Sequence, residues 1–131
     1  MPRTDASPRP PGSAGQKPID FNELTARCMG RIDLAGRVLA RFNETALAEM
    51  RELAAAADRS DRKALEQVAH RFAGGALNVS AGPLAEHCLR LEREAAAGGS
   101  GELAEIVAET LEACREALNS IANCCPGAEQ P

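Results

Sequence analysis

The chain has 131 residues, 44% of them hydrophobic, and a formal net charge of −4 at pH 7. This length suits one domain. An acidic chain with three Phe, no Tyr and no Trp lacks the charge and the stacking surfaces of a nucleic-acid binder. No glycine-rich phosphate-binding motif and no run of about 18 apolar residues is present, so we expect protein partners, no nucleotide site and no membrane span.

The composition changes along the chain. Residues 1–18 are rich in Pro, Gly and Ser, and they contain neither an apolar run nor the apolar core of a secretory signal, so they are predicted to be a disordered tail or linker. Residues 19–125 are rich in alanine and show no strand-like alternation, which predicts an all-α domain. Residues 126–131 are predicted to be a disordered C-terminus.

Two helices are predicted at the start of the domain. Asp20 and Glu23 form a capping pair for a short first helix from Phe21 to Met29, which ends at Gly30. A longer helix follows as far as Asp58, and Asn43 is a point where it could break. Its apolar stripe is made of Ile32, Ala35, Leu39, Phe42, Ala46, Met50 and Leu53.

The third predicted helix carries the most informative histidine. Ser60 or Asp61 caps this helix, and its apolar face is formed by Leu65, Val68, Ala69, Phe72, Ala76 and Val79. At about 100° per residue His70 falls outside this face, with Gly74 one turn later near the centre of the polar face. A glycine inside a helix costs about 1 kcal/mol relative to alanine. An exposed histidine is ordinarily just a solvated side chain, but the bare position beside it indicates a surface kept open for another protein.

The remaining elements are two helices. Pro83 stands in the first turn of the fourth helix, which ends at Gly98 and Gly99 with Leu84, Cys88, Leu91 and Ala95 facing inward. Ser100 caps the last helix, whose stripe is Leu103, Val107, Thr110, Cys114, Leu118 and Ile121. Short turns between long helices predict an up-and-down four-helix bundle with a short additional N-terminal helix.

The other chemically active residue types favour structural roles. His87 lies near the edge of an apolar stripe, which predicts a partly buried packing residue, and the spacing of the two histidines predicts no metal site. Five cysteines without a C-x-x-C pair fit a reducing cytoplasm, with Cys88 and Cys114 as small core residues. Acidic residues such as Glu92 and Glu94 are predicted simply to face solvent.

The segment AHRFAGGALNVSAGPLAEHCLRLE, residues 69–92, resembles the histidine phosphotransfer (HPt) domain family. The family signature is a histidine followed by an apolar residue at +2, often lysine at +3, and glycine at +4. His70, Phe72 and Gly74 match it, as do Asn78 and the run Leu84, Cys88, Leu91 and Glu92 in the next helix. Ala73 departs from it by replacing the lysine. The resemblance extends over residues 19–121.

The resemblance implies a phosphoryl carrier rather than a stand-alone enzyme. His70 would carry the phosphoryl group between aspartates of receiver domains in response regulators or hybrid histidine kinases, and Gly74 would give a receiver room to approach. Gln67 would orient the imidazole or the phosphoryl oxygens, and Lys63 and Arg71 are the nearest candidates for the work of the missing lysine. The chain is expected to be a cytoplasmic monomer with no cofactor of its own, the Mg²⁺ being held by the receiver.

Two alternatives remain open. The absence of lysine at Ala73 is also consistent with a non-catalytic helical adaptor that docks on a receiver or another signalling protein while His70 is idle. In the second alternative the domain accepts its phosphoryl group directly from an ATP-dependent kinase domain, as the related chemotaxis-kinase domains do. Transfer of label from a receiver, or from a kinase with ATP alone, distinguishes these possibilities.

Overall fold

The structure is a computed structural model that describes residues 17–98 and 102–124. Within these ranges the chain is all α-helical, as predicted, and has five helices. They are α1 (Phe21–Arg27), α2 (Ile32–Asp58), α3 (Arg62–Asn78), α4 (Gly82–Ala97) and α5 (Leu103–Cys124). Three of the predictions fall outside the described residues. They concern the cap at Ser100, most of the disordered tail at residues 1–18, and the whole of the disordered C-terminus at residues 126–131. Over the ranges given, no helix has both the length and the apolar character needed to cross a membrane.

The four long helices enclose a shared core. α2 contacts α3 and α5, α4 contacts the same two helices, and α1 contacts α2. The connections at residues 59–61 and 79–81 are short, so each helix in the series α2, α3, α4 packs beside the next one.

The first two helices differ from the prediction at three points. α1 ends at Arg27, before the predicted Met29, because Met29 and the following Gly30 adopt positive φ values of 60° and 78°. α2 continues without a break through the exposed Asn43. The prediction that Ile32 joins the apolar stripe is wrong, since this residue is 76% exposed. It lies in the first turn of α2, where the helical periodicity extends beyond the edge of the core.

The short helix α1 is fastened to the turn that follows α3. The Arg27 guanidinium donates hydrogen bonds from Nη1 to the Leu77 carbonyl at 2.8 Å and to Ser80 Oγ at 3.1 Å. The Asp20 backbone N–H donates to the Ser80 carbonyl at 2.9 Å, and Ile19 beside it is fully buried. These contacts satisfy acceptor groups at the C-terminal end of α3 that have no partner within the helix itself.

The core face of α3 is the one predicted from the sequence. All six predicted residues are buried, from Leu65 to Val79. Burial of each large apolar side chain contributes about 1.5–3 kcal/mol to stability, so these contacts fix the rotation of α3. Asp61 is the cap, because its Oδ1 accepts a hydrogen bond from the Ala64 N–H at 3.1 Å. The rotation places His70 on the side of the helix away from the core.

α4 and α5 complete the core and bury two thiols. All four residues predicted to face inward from α4 are buried. Burial raises the pKa of Cys88 and of Cys114 to about 12, so both thiols are protonated near neutral pH. The predicted stripe of α5 is incomplete, because Leu103 and Leu118 are only partly buried while three other residues are buried. These three are Ile106, Ala113 and Ala117.

Candidate functional site

His70 lies in the middle of α3 and projects into solvent. Its side chain is 75% exposed, whereas its neighbours Ala69 and Phe72 are almost completely buried. Because side chains 100° apart on a helix point in different directions, the same apolar packing that fixes α3 presents the imidazole outward. This position agrees with the one predicted from the helical periodicity.

The imidazole of His70 is oriented by a carboxylate on the neighbouring helix. His70 Nδ1 lies 2.9 Å from Oε2 of Glu92 on α4, and the Glu92 side chain is only 26% exposed. The contact joins the two helices across their interface. In a neutral imidazole that contacts a carboxylate at Nδ1, the proton lies on Nδ1 and the lone pair lies on Nε2. No group within the described residues hydrogen-bonds Nε2, so this nitrogen is open to an approaching reactant.

The prediction that Glu92 simply faces solvent is therefore wrong. Its position next to the buried Leu91 brings it to the edge of the interface between α3 and α4. The signal available in the sequence was the run that ends in Leu91 and Glu92, which belongs to the stretch that resembles the HPt family. The contact itself depends on how α4 is rotated against α3, which periodicity within one helix does not determine.

A shallow depression of about 260 Å³ opens beside His70. Five residues line it: Lys63, Glu66, Gln67, His70 and Glu92. The structure thus brings together three of the residues predicted for the site, namely His70, Gln67 and Lys63. Lys63 is the only cationic side chain in this lining, which also contains the two carboxylates of Glu66 and Glu92.

Arg71, also predicted for the site, is turned to the opposite flank of α3. Its guanidinium contacts Glu49 on α2 with Nε at 3.1 Å from Oε2 and Nη2 at 3.0 Å from Oε1. It also contacts Glu52. The hydrogen bonds to Glu49 raise the pKa of Arg71. The side chain is held toward α2 and does not line the depression that contains His70.

Of the residues one turn after His70, Gly74 is exposed and Ala73 is buried. Gly74 is exposed, and a Cβ atom at this position would meet nothing within 4 Å. Packing therefore does not require glycine here, and the position leaves a bare surface one turn from the imidazole. Ala73 is only 3% exposed and belongs to the core, so its methyl group packs inward at the edge of the face that carries His70.

His87 occupies a different setting. Its side chain is 28% exposed, as expected for a residue at the edge of the stripe, and Nδ1 lies 4.0 Å from Oε1 of Glu109 on α5. The same Glu109 oxygen is 3.4 Å from Nη1 of Arg90. Across residues 17–98 and 102–124 no group of three His, Cys, Asp or Glu residues is arranged to hold a metal ion.

The comparison with family models decides the affiliation. The model of the Hpt domain matches residues 37–123, which contain α3, α4 and most of α2 and α5. The chain belongs to the Hpt domain family. This Hpt protein is accordingly a histidine phosphotransfer protein of a two-component phosphorelay.

A solved structure supports the fold of the Hpt protein. The histidine-containing phosphotransfer protein B (HptB) from Pseudomonas aeruginosa PAO1 superposes with a TM-score of 0.74 at 24% sequence identity, over 81% of this chain and 92% of that chain. At this level of identity the likeness concerns the fold alone. A search of curated proteins found no match.

Proposed function

We propose that His70 is the residue of this Hpt protein that carries the phosphoryl group between receiver aspartates. The observation that supports the proposal best is the contact between an exposed imidazole and a carboxylate, with His70 Nδ1 at 2.9 Å from Glu92 Oε2. A nucleophile of this kind needs a free lone pair and a fixed orientation. Glu92 supplies the orientation through Nδ1, and the exposure of the side chain leaves Nε2 accessible.

The transfer proceeds by direct displacement at phosphorus. The Nε2 lone pair attacks the phosphorus of a receiver's aspartyl phosphate and forms the N–P bond, while the bond from phosphorus to the aspartyl oxygen breaks and its electron pair leaves with the aspartate carboxylate. The ring gains positive charge as the N–P bond forms, and the Glu92 carboxylate at Nδ1 stabilises that charge. The reverse step, with a second receiver's aspartate as the nucleophile, returns the lone pair to Nε2.

The neighbours of His70 have supporting roles in this proposal. Gly74 leaves room for the loops of a receiver, and Gln67 orients the phosphoryl group by donating a hydrogen bond to one of its oxygens. Lys63 and Arg71 belong to the surface that a receiver contacts. Because Arg71 is already bound by Glu49 and Glu52, its part is to fix the boundary between α2 and α3 rather than to bind phosphate.

The proposed partners are receiver domains of response regulators or hybrid histidine kinases. The Mg²⁺ of the reaction belongs to the receiver, and the chain contributes no cofactor of its own. We further propose that the protein acts as a cytoplasmic monomer, with residues 19–125 as its functional unit. In that unit α2 to α5 form an up-and-down four-helix bundle, and α1 is the additional N-terminal helix.

Transfer from a phosphorylated receiver tests the proposal. A panel of response-regulator receiver domains is phosphorylated with acetyl phosphate, each is mixed with the Hpt protein, and phosphate on the Hpt protein is measured. The expected label is stable to alkali and labile to acid. It is absent from His70→Gln and unchanged in the matched control His87→Gln.

Two outcomes would contradict the proposal. Equal labelling of His70→Gln would show that the phosphoryl group resides elsewhere. Binding of a receiver that is independent of its phosphorylation, with no label transferred from any member of the panel, would instead support the helical adaptor.

A further inference from the structure

The depression beside His70 has a charge imbalance that phosphorylation would increase. Its lining contains the carboxylates of Glu66 and Glu92 and one ammonium group, that of Lys63. A phosphoryl group adds a charge of about −1.5 to −2 near pH 7. Once His70 is phosphorylated, a single cation in this lining would face three anionic groups, so Lys63 has a large effect on the electrostatic potential at the phosphoryl oxygens.

The cationic side chain next to His70 in the sequence is already paired with carboxylates. Arg71 is adjacent to His70 in sequence, yet its guanidinium contacts both Glu49 and Glu52 on the far flank of α3. Lys63, by contrast, is exposed and forms no ion pair or hydrogen bond with any residue in the part of the chain that the structure describes. Its ammonium group therefore gives up no existing contact when it turns toward a new anion.

The placement of Lys63 on the helix suits this task. Lys63 precedes His70 by seven residues, which is close to two full turns, so the two side chains emerge on the same face of α3 about 10.5 Å apart along the axis. The side chain of a helical residue leans toward the N-terminus, so the imidazole leans toward Lys63, whereas the Lys63 side chain starts out leaning away from His70 and has to turn back along the helix to reach it. A flexible four-carbon stem lets an ammonium group follow a phosphoryl oxygen, which the planar guanidinium of an arginine does less freely.

We propose that Lys63 is the phosphoryl-binding cation of this Hpt protein, and that its ammonium group favours the doubly ionised form of the phosphoryl group on His70. The inference rests on the proposed function, since it requires His70 to be the phosphorylated residue. The sequence offered both Lys63 and Arg71 as candidates for neutralising the phosphoryl charge, and the inference assigns this role to Lys63 alone.

The ionisation of the bound phosphoryl group tests this role directly. Potassium phosphoramidate phosphorylates histidine side chains without an enzyme or a partner, and the His87→Gln background leaves His70 as the only histidine of the chain. In this background ³¹P NMR follows the phosphohistidine signal as the pH is changed. Removal of the ammonium in Lys63→Met is expected to raise the midpoint of the titration by about half a pH unit, a three-fold change in the ionisation equilibrium.

Three controls make the result specific. Lys63→Arg keeps the charge and should restore most of the wild-type midpoint. Lys17→Ala removes the chain's other lysine, which lies outside the helices, and should leave the midpoint unchanged. Raising the salt concentration to 0.5 M should reduce the difference between Lys63 and Lys63→Met, because mobile ions screen exposed charges.

The possible failures can be told apart. A phosphohistidine signal whose midpoint is the same in Lys63→Met and in the parent overturns the assignment of Lys63 and leaves the role of His70 intact. A folded His87→Gln protein that is labelled neither by phosphoramidate nor by any phosphorylated receiver of the panel overturns the proposed function and this inference together. Circular dichroism on each variant establishes that the helical fold is retained.

Discussion

The two histidines of the chain lie on adjacent helices, yet their surroundings differ in every respect that matters for nucleophilic chemistry. His70 is 75% exposed and has a carboxylate of its own at 2.9 Å. His87 is 28% exposed, and its nearest carboxylate is 4.0 Å away and is shared with Arg90. Exposure gives a reactant access to the ring, and a dedicated carboxylate fixes its tautomer. Only His70 combines both properties.

The comparison shows that the exposure of a histidine and its carboxylate partner depend on two helices rather than one. The rotation of α3 determines that His70 faces outward, and the packing of α4 against α3 determines that Glu92 reaches its ring. For His87, the same kind of packing between α4 and α5 yields a loose contact with Glu109, because Arg90 competes for the carboxylate.

The largest loss of phosphoryl transfer is expected when access to the His70 imidazole is blocked. Gly74→Gln places a side chain on the open surface one turn away, and we expect transfer from a phosphorylated receiver to fall by about two orders of magnitude, since displacements of about 1 Å have such effects on aligned reactions. The fold should be kept, because a Cβ atom at this position meets nothing within 4 Å.

Gly36 provides the matched control for this experiment. It is also exposed in the interior of a helix, α2, and a Cβ atom there likewise meets nothing within 4 Å. Gly36→Gln should transfer phosphate at the wild-type rate. If both variants are equally active, or if Gly74→Gln loses its helical circular dichroism, the access argument is wrong.

A weaker effect is expected when the orientation of the ring is disturbed. Glu92→Gln replaces a carboxylate by an amide that can present either a donor or an acceptor to His70 Nδ1, and the rate of transfer should fall about tenfold, as is typical when a group that orients a functional histidine is changed. Glu109→Gln, beside His87, should change nothing. Nitrogen-15 NMR of the imidazole measures the cause: the fraction of the Nδ1–H tautomer should fall in Glu92→Gln alone, and an unchanged fraction would contradict this role.

The smallest effect concerns the helix that carries His70. α3 begins with a side-chain cap from Asp61, whereas α4, which carries His87, has no side-chain cap at Ala81. Asp61→Ala should lower the free energy of unfolding by about 1 kcal/mol and leave the rate of phosphoryl transfer nearly unchanged, as measured by urea denaturation and a transfer assay. Asp61→Asn keeps a capping oxygen and should lose less than half as much stability. Equal losses would show that the charge of Asp61 matters more than its hydrogen bond.

The sequence was sufficient for features that belong to one helix. The apolar face of α3 and the exposure of His70 follow from the helical repeat, and local hydrogen-bonding chemistry narrowed the cap of α3 to Ser60 or Asp61, of which the structure shows Asp61. Ile32 shows the limit of this reasoning, because a repeat can continue beyond the point where the core ends. The exposure of 76% at Ile32 reflects the position of α2 in the fold rather than any property of the residue.

Features that arise between helices were not accessible in the same way. Glu92 reaches His70, and Arg71 turns to Glu49, because of the relative rotations of three helices. Both acidic residues look like ordinary surface charges in the sequence, and the two candidates Lys63 and Arg71 look equivalent. Only the packing separates Lys63, which lines the depression, from Arg71, which is bound to α2.

The hydrogen bonds from Arg27 to the end of α3 have a practical consequence for anyone who trims this protein. The family match begins at residue 37, so a fragment cut to that boundary would lack Ile19, Asp20 and Arg27. The Leu77 carbonyl and Ser80 Oγ would lose the hydrogen bonds from Arg27. The Leu77 carbonyl would keep only its backbone donors, such as the Ser80 N–H, and the space filled by Ile19 would open to water. Fraying of α3 would then start within one turn of Gly74, so we expect the smallest stable fragment to be longer than the family boundary suggests.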